Sequence, residues 1–330
     1  MTKCSGSGLL RIAAAAALAL GASVANAVVP TLTAAGIAKG FTLSTIVSGL
    51  PGYGRSYDVL GSAINSDGNI ILNNSATQMN YVFKNMDGQT AAAALSSVSF
   101  GGFPSAFAYA NGSVWASANG GLARLNNNGS VAQTFFNINA HQGLWTNPVT
   151  GHLLAGNTLI DIDVSNVHSP SFTTVVNGFF ADGLTVSPDG KFAYGSYGTI
   201  VDLTTKMLVS PGFGSVSGAD GMGVITSSDP GLNGDIIVNT TSGNIVLVDH
   251  ATFAQTVIAS GGGYGDYTSP DYTNGSLMLS SSNNLLRLGC GKGCGIGSPP
   301  VVVGVPEPQT YALMFAGLGL VGWMARRRRA

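Results

Sequence analysis

The sequence predicts an all-β fold, a six-bladed β-propeller closed by its N-terminal strand, and three observations point to it. A turn dipeptide ending in Gly recurs at intervals of 39 to 44 residues, as Asp67-Gly68, Asn111-Gly112, Thr150-Gly151, Asp189-Gly190, Asn233-Gly234 and Asn274-Gly275. Each turn is followed by two short runs of strand character, such as NIILNN from 69 and YVFKN from 81, or DIIVNT from 235 and IVLVD from 245. The composition agrees, because 47 Gly, 45% hydrophobic and only 9% charged residues in a chain of 330 suit buried strands joined by tight turns. That balance excludes both a helical bundle and a disordered, highly charged chain.

In chain order, residues 1–27 read as a secretory signal peptide. Lys3 and Arg11 make the positive start, Ile12 to Leu20 the apolar core, and Ala25-Asn26-Ala27 a small-x-small cleavage site. The mature chain is then expected to begin at Val28, and Cys4 is removed. The apolar run is too short for a membrane span.

Residues 28–290 are expected to hold the propeller. Beyond its two inner runs, each of five units has a third, more exposed one: ALSSVSF, VAQTFFN, FTTVVN, KMLVS and AQTVIAS. The sixth unit ends at Cys290 without it. FTLSTIV, Phe41 to Val47, has the same character and precedes the first unit, so it is expected to complete the sixth blade. Closing the ring removes two free sheet edges that would otherwise pair with other chains. A β-sandwich and a β-solenoid are the alternatives, but the period is too regular for the first and too long for the second.

Aligned on the Gly turns, the units place Asp58, His141 with Gln142, Asp182, Asp220 and Asp266 in or near the loops that enter the innermost strands. Such loops gather at one mouth of the central channel. Carboxylates converging there repel one another unless a cation or a water network offsets them, which makes Asp182, Asp220, Asp266 and Asp58 candidate ligands of a divalent cation, Ca²⁺ by oxygen chemistry. The alternative is that these Asp-Gly pairs only make turns and local hydrogen bonds. His141 is a weak candidate general base, with no evident orienting partner. No G-x-S-x-G, HExxH or Walker pattern is present.

Between Val28 and Val305 the chain has 8 basic residues, 14 Asp and no Glu, a formal charge of about −6. So acidic and sparsely charged a surface excludes nucleic acid as a partner. Cys290 and Cys294 enclose Gly291-Lys292-Gly293, a spacing that suits a small disulfide loop in an oxidising compartment; a two-cysteine metal site is the other reading.

From 291 to 304 the chain is a Gly, Ser, Pro and Val linker. Residues 305–330 have three parts: Val305-Pro306-Glu307-Pro308, an apolar stretch from Tyr311 to Ala325, and Arg326-Arg327-Arg328-Arg329. As a helix the apolar stretch spans about 22 Å, short for a bilayer core, and the Arg cluster resists translocation.

This arrangement resembles the PEP-CTERM sorting signal recognised by exosortase, and Pro306, Glu307 and Pro308 stand at the motif positions. The resemblance implies export with removal of the leader by signal peptidase. It also implies transient anchoring in the inner membrane through residues 311–325, cleavage near the motif, and delivery to the cell surface or medium. A permanent single-span anchor is the alternative. The body resembles bacterial propellers of the NHL, gluconolactonase-like and streptogramin-lyase-like kind over roughly residues 41–290, most clearly in the run Ala181 to Tyr194. Gluconolactonase-like propellers hold their metal with a Glu as well as Asn and Asp, and the body here has no Glu. Two functions are therefore expected: a non-enzymatic surface or matrix module binding exopolysaccharide or another surface protein, or an exported metal-dependent hydrolase or lyase.

Overall fold

The computed structural model describes residues 28–52, 58–101, 104–118, 120–156 and 158–290. They form six antiparallel sheets, the blades of a β-propeller. Blade 1 runs Val59–Ile64, Ile70–Asn74, Met79–Phe83 and Ser96–Ser99 from the channel outwards. Blade 2 follows with Pro104–Ala110, Ser113–Ala118, Gly121–Leu125 and Val131–Phe135, and blade 3 with His141–Thr146, Leu153–Gly156, Leu159–Asp163 and Ser171–Val176. Blade 4 is Leu184–Val186, Phe192–Gly195, Thr199–Asp202 and Met207–Val209; blade 5 is Ala219–Val224, Ile236–Thr240, Ile245–Val248 and Gln255–Ser260. Blade 6 consists of Thr268–Asp271, Ser276–Ser281 and Asn284–Cys290, and Phe41–Ser48 pairs with its third strand from Phe41 opposite Cys290 to Val47 opposite Leu285.

The repeat in the sequence is the turn between the first and second strand of each blade. All six turn glycines, Gly68, Gly112, Gly151, Gly190, Gly234 and Gly275, sit at φ between +72° and +91°, where a side chain would be strained. The second strands are nearly continuous runs of buried residues, as in Ile70–Asn74 and Ile236–Thr240, because a blade is covered by a neighbour on both faces. The outermost strands read differently: Met207–Val209 is exposed throughout and Ser171–Val176 nearly so. Leu154, Leu184, Leu247 and Leu286 are buried in one apolar cluster that runs between blades and holds them together.

Three short elements, two of them N-terminal, were not expected from the sequence. Thr31–Leu32 adds a fifth strand to the outer edge of blade 5, pairing with Ala259 and Ser260. A five-residue helix, Ala34–Ala38, then carries the chain to blade 6, its first turn capped by Thr33 Oγ1, which accepts from the Gly36 amide at 3.1 Å. Gln89–Thr90, from the long third connection of blade 1, pairs in parallel with Val47 and Ser48. The segment from 31 to 48 thus ties blade 5 to blade 6, and the connection at 89–90 ties blade 6 to blade 1.

Polar groups lock that last joint. Arg287 Nη1 donates to Asp271 at 2.6 Å, Nε to Asp87 at 2.8 Å and Nη2 to Asn85 at 2.6 Å, while Asn85 Nδ2 donates to Asp271 at 2.8 Å. Asp271 is fully buried, so its charge depends on these donors.

Candidate mouth of the central channel

Glycines bring the inner strands close enough to narrow the channel, and they set which residues meet there. A Cβ on Gly143 of blade 3 would crowd the Asp182 carbonyl, one on Gly183 of blade 4 would overlap the Asp220 carbonyl, and one on Gly221 of blade 5 would crowd that of Asp266. Blades 3, 4 and 5 therefore each rest an entry glycine on the backbone beside the next blade's Asp. Asp182, Asp220 and Asp266 follow one another around the rim as a result.

The loops carrying them are held by short polar side chains. Ser196 Oγ accepts from the amides of Asp182 and Gly183 at 3.2 Å each, and Ser280 Oγ accepts from those of Asp266 and Tyr267 at 3.0 and 2.8 Å. Asp220 is positioned by a β-bulge, because Ala219 pairs with Thr240 and Gly221 with Asn239, leaving Asp220 as the extra residue. Bulges next to a channel re-aim a side chain in this way.

The three carboxyl groups lie within electrostatic reach of one another. The hydrogen bond formed here by a carboxylate is Asp220 Oδ2 with the Tyr264 hydroxyl at 3.4 Å, and Asp220 Oδ1 is buried without a partner. Asp189, Asp202 and Asp249, by contrast, accept from backbone amides of their own turns. The electrostatics follow from the geometry. Burial, then the charges of Asp266 and Asp182, push Asp220 up to about 9. Burial, then Asp182, pushes Asp266 up to about 7, and burial raises Asp182 itself. Near neutral pH the cluster therefore keeps protons that free carboxylates would have lost.

Two aromatic residues that sequence reasoning missed belong to the same rim. Tyr264 reaches Asp220, and Tyr197, more than half exposed, has its hydroxyl raised by burial and then by the charges of Asp182 and Asp220. Tyr197 lies in the turn between the second and third strands of blade 4, and such turns share the mouth with the entry loops. The buried Tyr267 hydroxyl donates to the Phe107 carbonyl on blade 2 and accepts from its amide.

The remaining expected site residues are placed as follows. Asp58 is buried at the joint of blades 6 and 1, packed against Gly52 and Asn283, and a Cβ on Gly52 would strike its carboxylate. His141 opens the inner strand of blade 3 at the mouth end, followed by a bulge that contains Gln142 at φ 57°. Cys290 is disulfide-bonded; Cys294 lies outside the described residues. Outside them too lie Ala25, Ala27, Val305, Pro306, Glu307, Pro308, the stretch 311–325, and Arg326, Arg327, Arg328 and Arg329. Among the described residues no helix is long and apolar enough to cross a membrane.

The donor chemistry at the mouth suits a hard cation such as Ca²⁺, being all carboxylate oxygen with one orphaned acceptor. The arrangement does not match it: among the described residues no group of three or more His, Cys, Asp or Glu side chains could hold a metal ion as placed.

Comparison with known proteins finds a sorting motif near the C-terminal end of the chain. Residues 304–329 match the family model of the PEP-CTERM protein-sorting motif, the mark of a chain exported and processed by exosortase. The fold resembles that of a gluconolactonase from Xanthomonas campestris, with a TM-score of 0.54 and 14% identity over 80% of this chain and 97% of that one. It also resembles a calcium-binding protein, regucalcin, from Agrobacterium tumefaciens, with a TM-score of 0.54 and 12% identity over 78% and 98% of the two chains. Identities this low establish the propeller and nothing about chemistry. No curated protein matches the chain in sequence.

Proposed function

We propose that this protein is a non-enzymatic binding module of the cell surface or extracellular matrix, delivered there by its sorting tail, with the acidic channel mouth as its contact for exopolysaccharide or another surface protein. The observation that carries this reading is the sorting motif at 304–329, which supports a destination outside the inner membrane. The mouth supports it. Partly protonated carboxyl groups both donate and accept hydrogen bonds, and Tyr197 beside them offers an exposed ring face. Hydroxyl-rich chains suit such a rim better than a polyanion, which Asp182, Asp220 and Asp266 would repel.

The test is co-sedimentation of the purified mature protein with exopolysaccharide from its own host, compared with a variant carrying Asp182→Ala, Asp266→Ala and Tyr197→Ala. Binding reduced at least tenfold in that variant is expected. Equal binding would remove the mouth from the account.

A second reading is an exported metal-dependent hydrolase or lyase, favoured by the buried, unpartnered Asp220 Oδ1. It requires Asp182, Asp220 and Asp266 to draw together around a cation such as Ca²⁺, with His141 beside them. Calorimetry on the chelated protein decides it, since absence of calcium uptake ends this reading.

A further inference from the structure

On the face of the ring opposite the acidic mouth, an interblade tie repeats and then fails. The Asn that follows the inner strand of blade 1, Asn65, donates its amide to the carbonyl of Asn127 in blade 2 at 2.9 Å. Asn111 does the same from blade 2 to the carbonyls of Val164 and Ser165 in blade 3, and Asn147 from blade 3 to that of Gly190 in blade 4 at 3.2 Å. Blade 4 has Ser187 at this position. Its hydroxyl keeps the local duty of the Asn side chain, accepting from the amides of Lys191 and Phe192, but donates to Asp189 in its own blade at 2.6 Å. Too short to reach blade 5, it leaves a cleft of about 450 Å³ between blades 4 and 5.

The cleft is furnished on both walls. Phe192 and Tyr194 line it from blade 4, and Phe253 closes it from blade 5, where it is backed by Phe213 with ring centroids 6.3 Å apart. Phe253 adopts φ 58°, a left-handed conformation that a bulky side chain occupies only where its surroundings impose it. At the rim stand Asp189, Asn233 and His250. His250 is fixed: its Nδ1 lies 2.9 Å from the carboxylate of the buried Asp235, and a Cβ on Gly234 would press against its ring. The nitrogen facing the carboxylate carries the hydrogen, so in the neutral ring Nε2 is left as an acceptor. The Asp189 carboxylate is a second acceptor, and the Asn233 amide accepts and donates.

We propose that the cleft between blades 4 and 5 is a small-molecule binding site for a hydroxylated six-membered ring, its faces lying against Phe192, Tyr194 and Phe253 and its hydroxyls donating to His250 and Asp189. An apolar slot with a few convergent polar groups is the usual form of a small-ligand site, and this volume lies in the usual range. Two chemistries share these features, a pyranose sugar and a phenol, and they are separable by experiment.

Saturation-transfer NMR on the mature protein with methyl glucopyranoside and, separately, p-cresol tests the site. Transfer to at least one probe is expected, the sugar marking a glycan site and the cresol an aromatic one. Ser187→Asn installs the side chain that bridges blades 1 to 2 and 3 to 4 and lengthens the residue that lines the slot. Transfer should fall at least fivefold in this variant and in His250→Ala, with circular dichroism unchanged. Transfer to neither probe, or transfer undiminished in both folded variants, overturns the proposal.

Discussion

Replacing Asp220 by Asn should stabilise the protein at neutral and alkaline pH. The carboxyl stays protonated to about pH 9 in the folded chain but ionises near pH 4 once unfolded. Between those limits the folded state holds more protons than the unfolded state, so stability falls as pH rises through the window. At about 1.36 kcal/mol for each tenfold difference in proton affinity, the loss accumulated from pH 4 to pH 8 has a ceiling of about 5 kcal/mol. Mutual relief among the three carboxyls lowers this, and we expect about 3 kcal/mol. Asparagine keeps the size of the side chain and offers its amide to Asp182 and Asp266. For a domain of this size that corresponds to a rise in Tm of roughly 6–12 °C at pH 8, shrinking as the pH falls toward 4, where the folded and unfolded states differ little in protons held by Asp220. Differential scanning calorimetry of both proteins from pH 4 to pH 9 measures it. A variant equally or less stable at pH 8, or a difference that does not change with pH, refutes the reasoning.

Three further outcomes follow from the same structure. Arg287→Met should cost about 3 kcal/mol in urea unfolding, because it strands the fully buried Asp271 carboxylate at the joint of blades 6 and 1. Gly183→Ala should cost at least about 3 kcal/mol or prevent folding, since the new Cβ meets the Asp220 backbone and not a movable side chain; expression followed by thermal unfolding reports it. Calcium uptake, if calorimetry detects it, should release protons and strengthen from pH 6 to pH 9, because Asp220 and Asp266 must ionise to bind; affinity independent of pH would contradict the proton-holding cluster.

The blades were legible because each is built by one local device repeated. A Gly at positive φ after the inner strand, then two buried runs, is a short-range pattern, and its period survives divergence of everything else. Asp182, Asp220 and Asp266 were picked out in the sequence because each stands in or near the entry to the inner strand of its unit, although their distances to the turn glycine differ. Their chemistry was not. Whether an Asp before a Gly caps its own loop or faces its neighbour depends on the bulge at Ala219–Gly221 and on Gly183 touching the next blade, contacts that no single unit encodes. Thr31–Leu32 and Gln89–Thr90 escaped because two-residue strands carry no periodicity and pair with residues far along the chain. The failed tie at Ser187 was visible in the sequence only as a Ser where the three preceding blades have Asn, and it gained meaning once Asn65 and Asn147 were seen to cross between blades.

The central claim, that this propeller is exported and sorted by its tail, is tested most directly by intact-mass measurement on membrane, surface and culture fractions of host cells with and without exosortase. With the enzyme, the recovered chain should begin at Val28 and lack Arg326 to Arg329. Without it, the chain should remain in the membrane fraction with its tail intact. A full-length polypeptide in the medium, arginines included, would contradict the account.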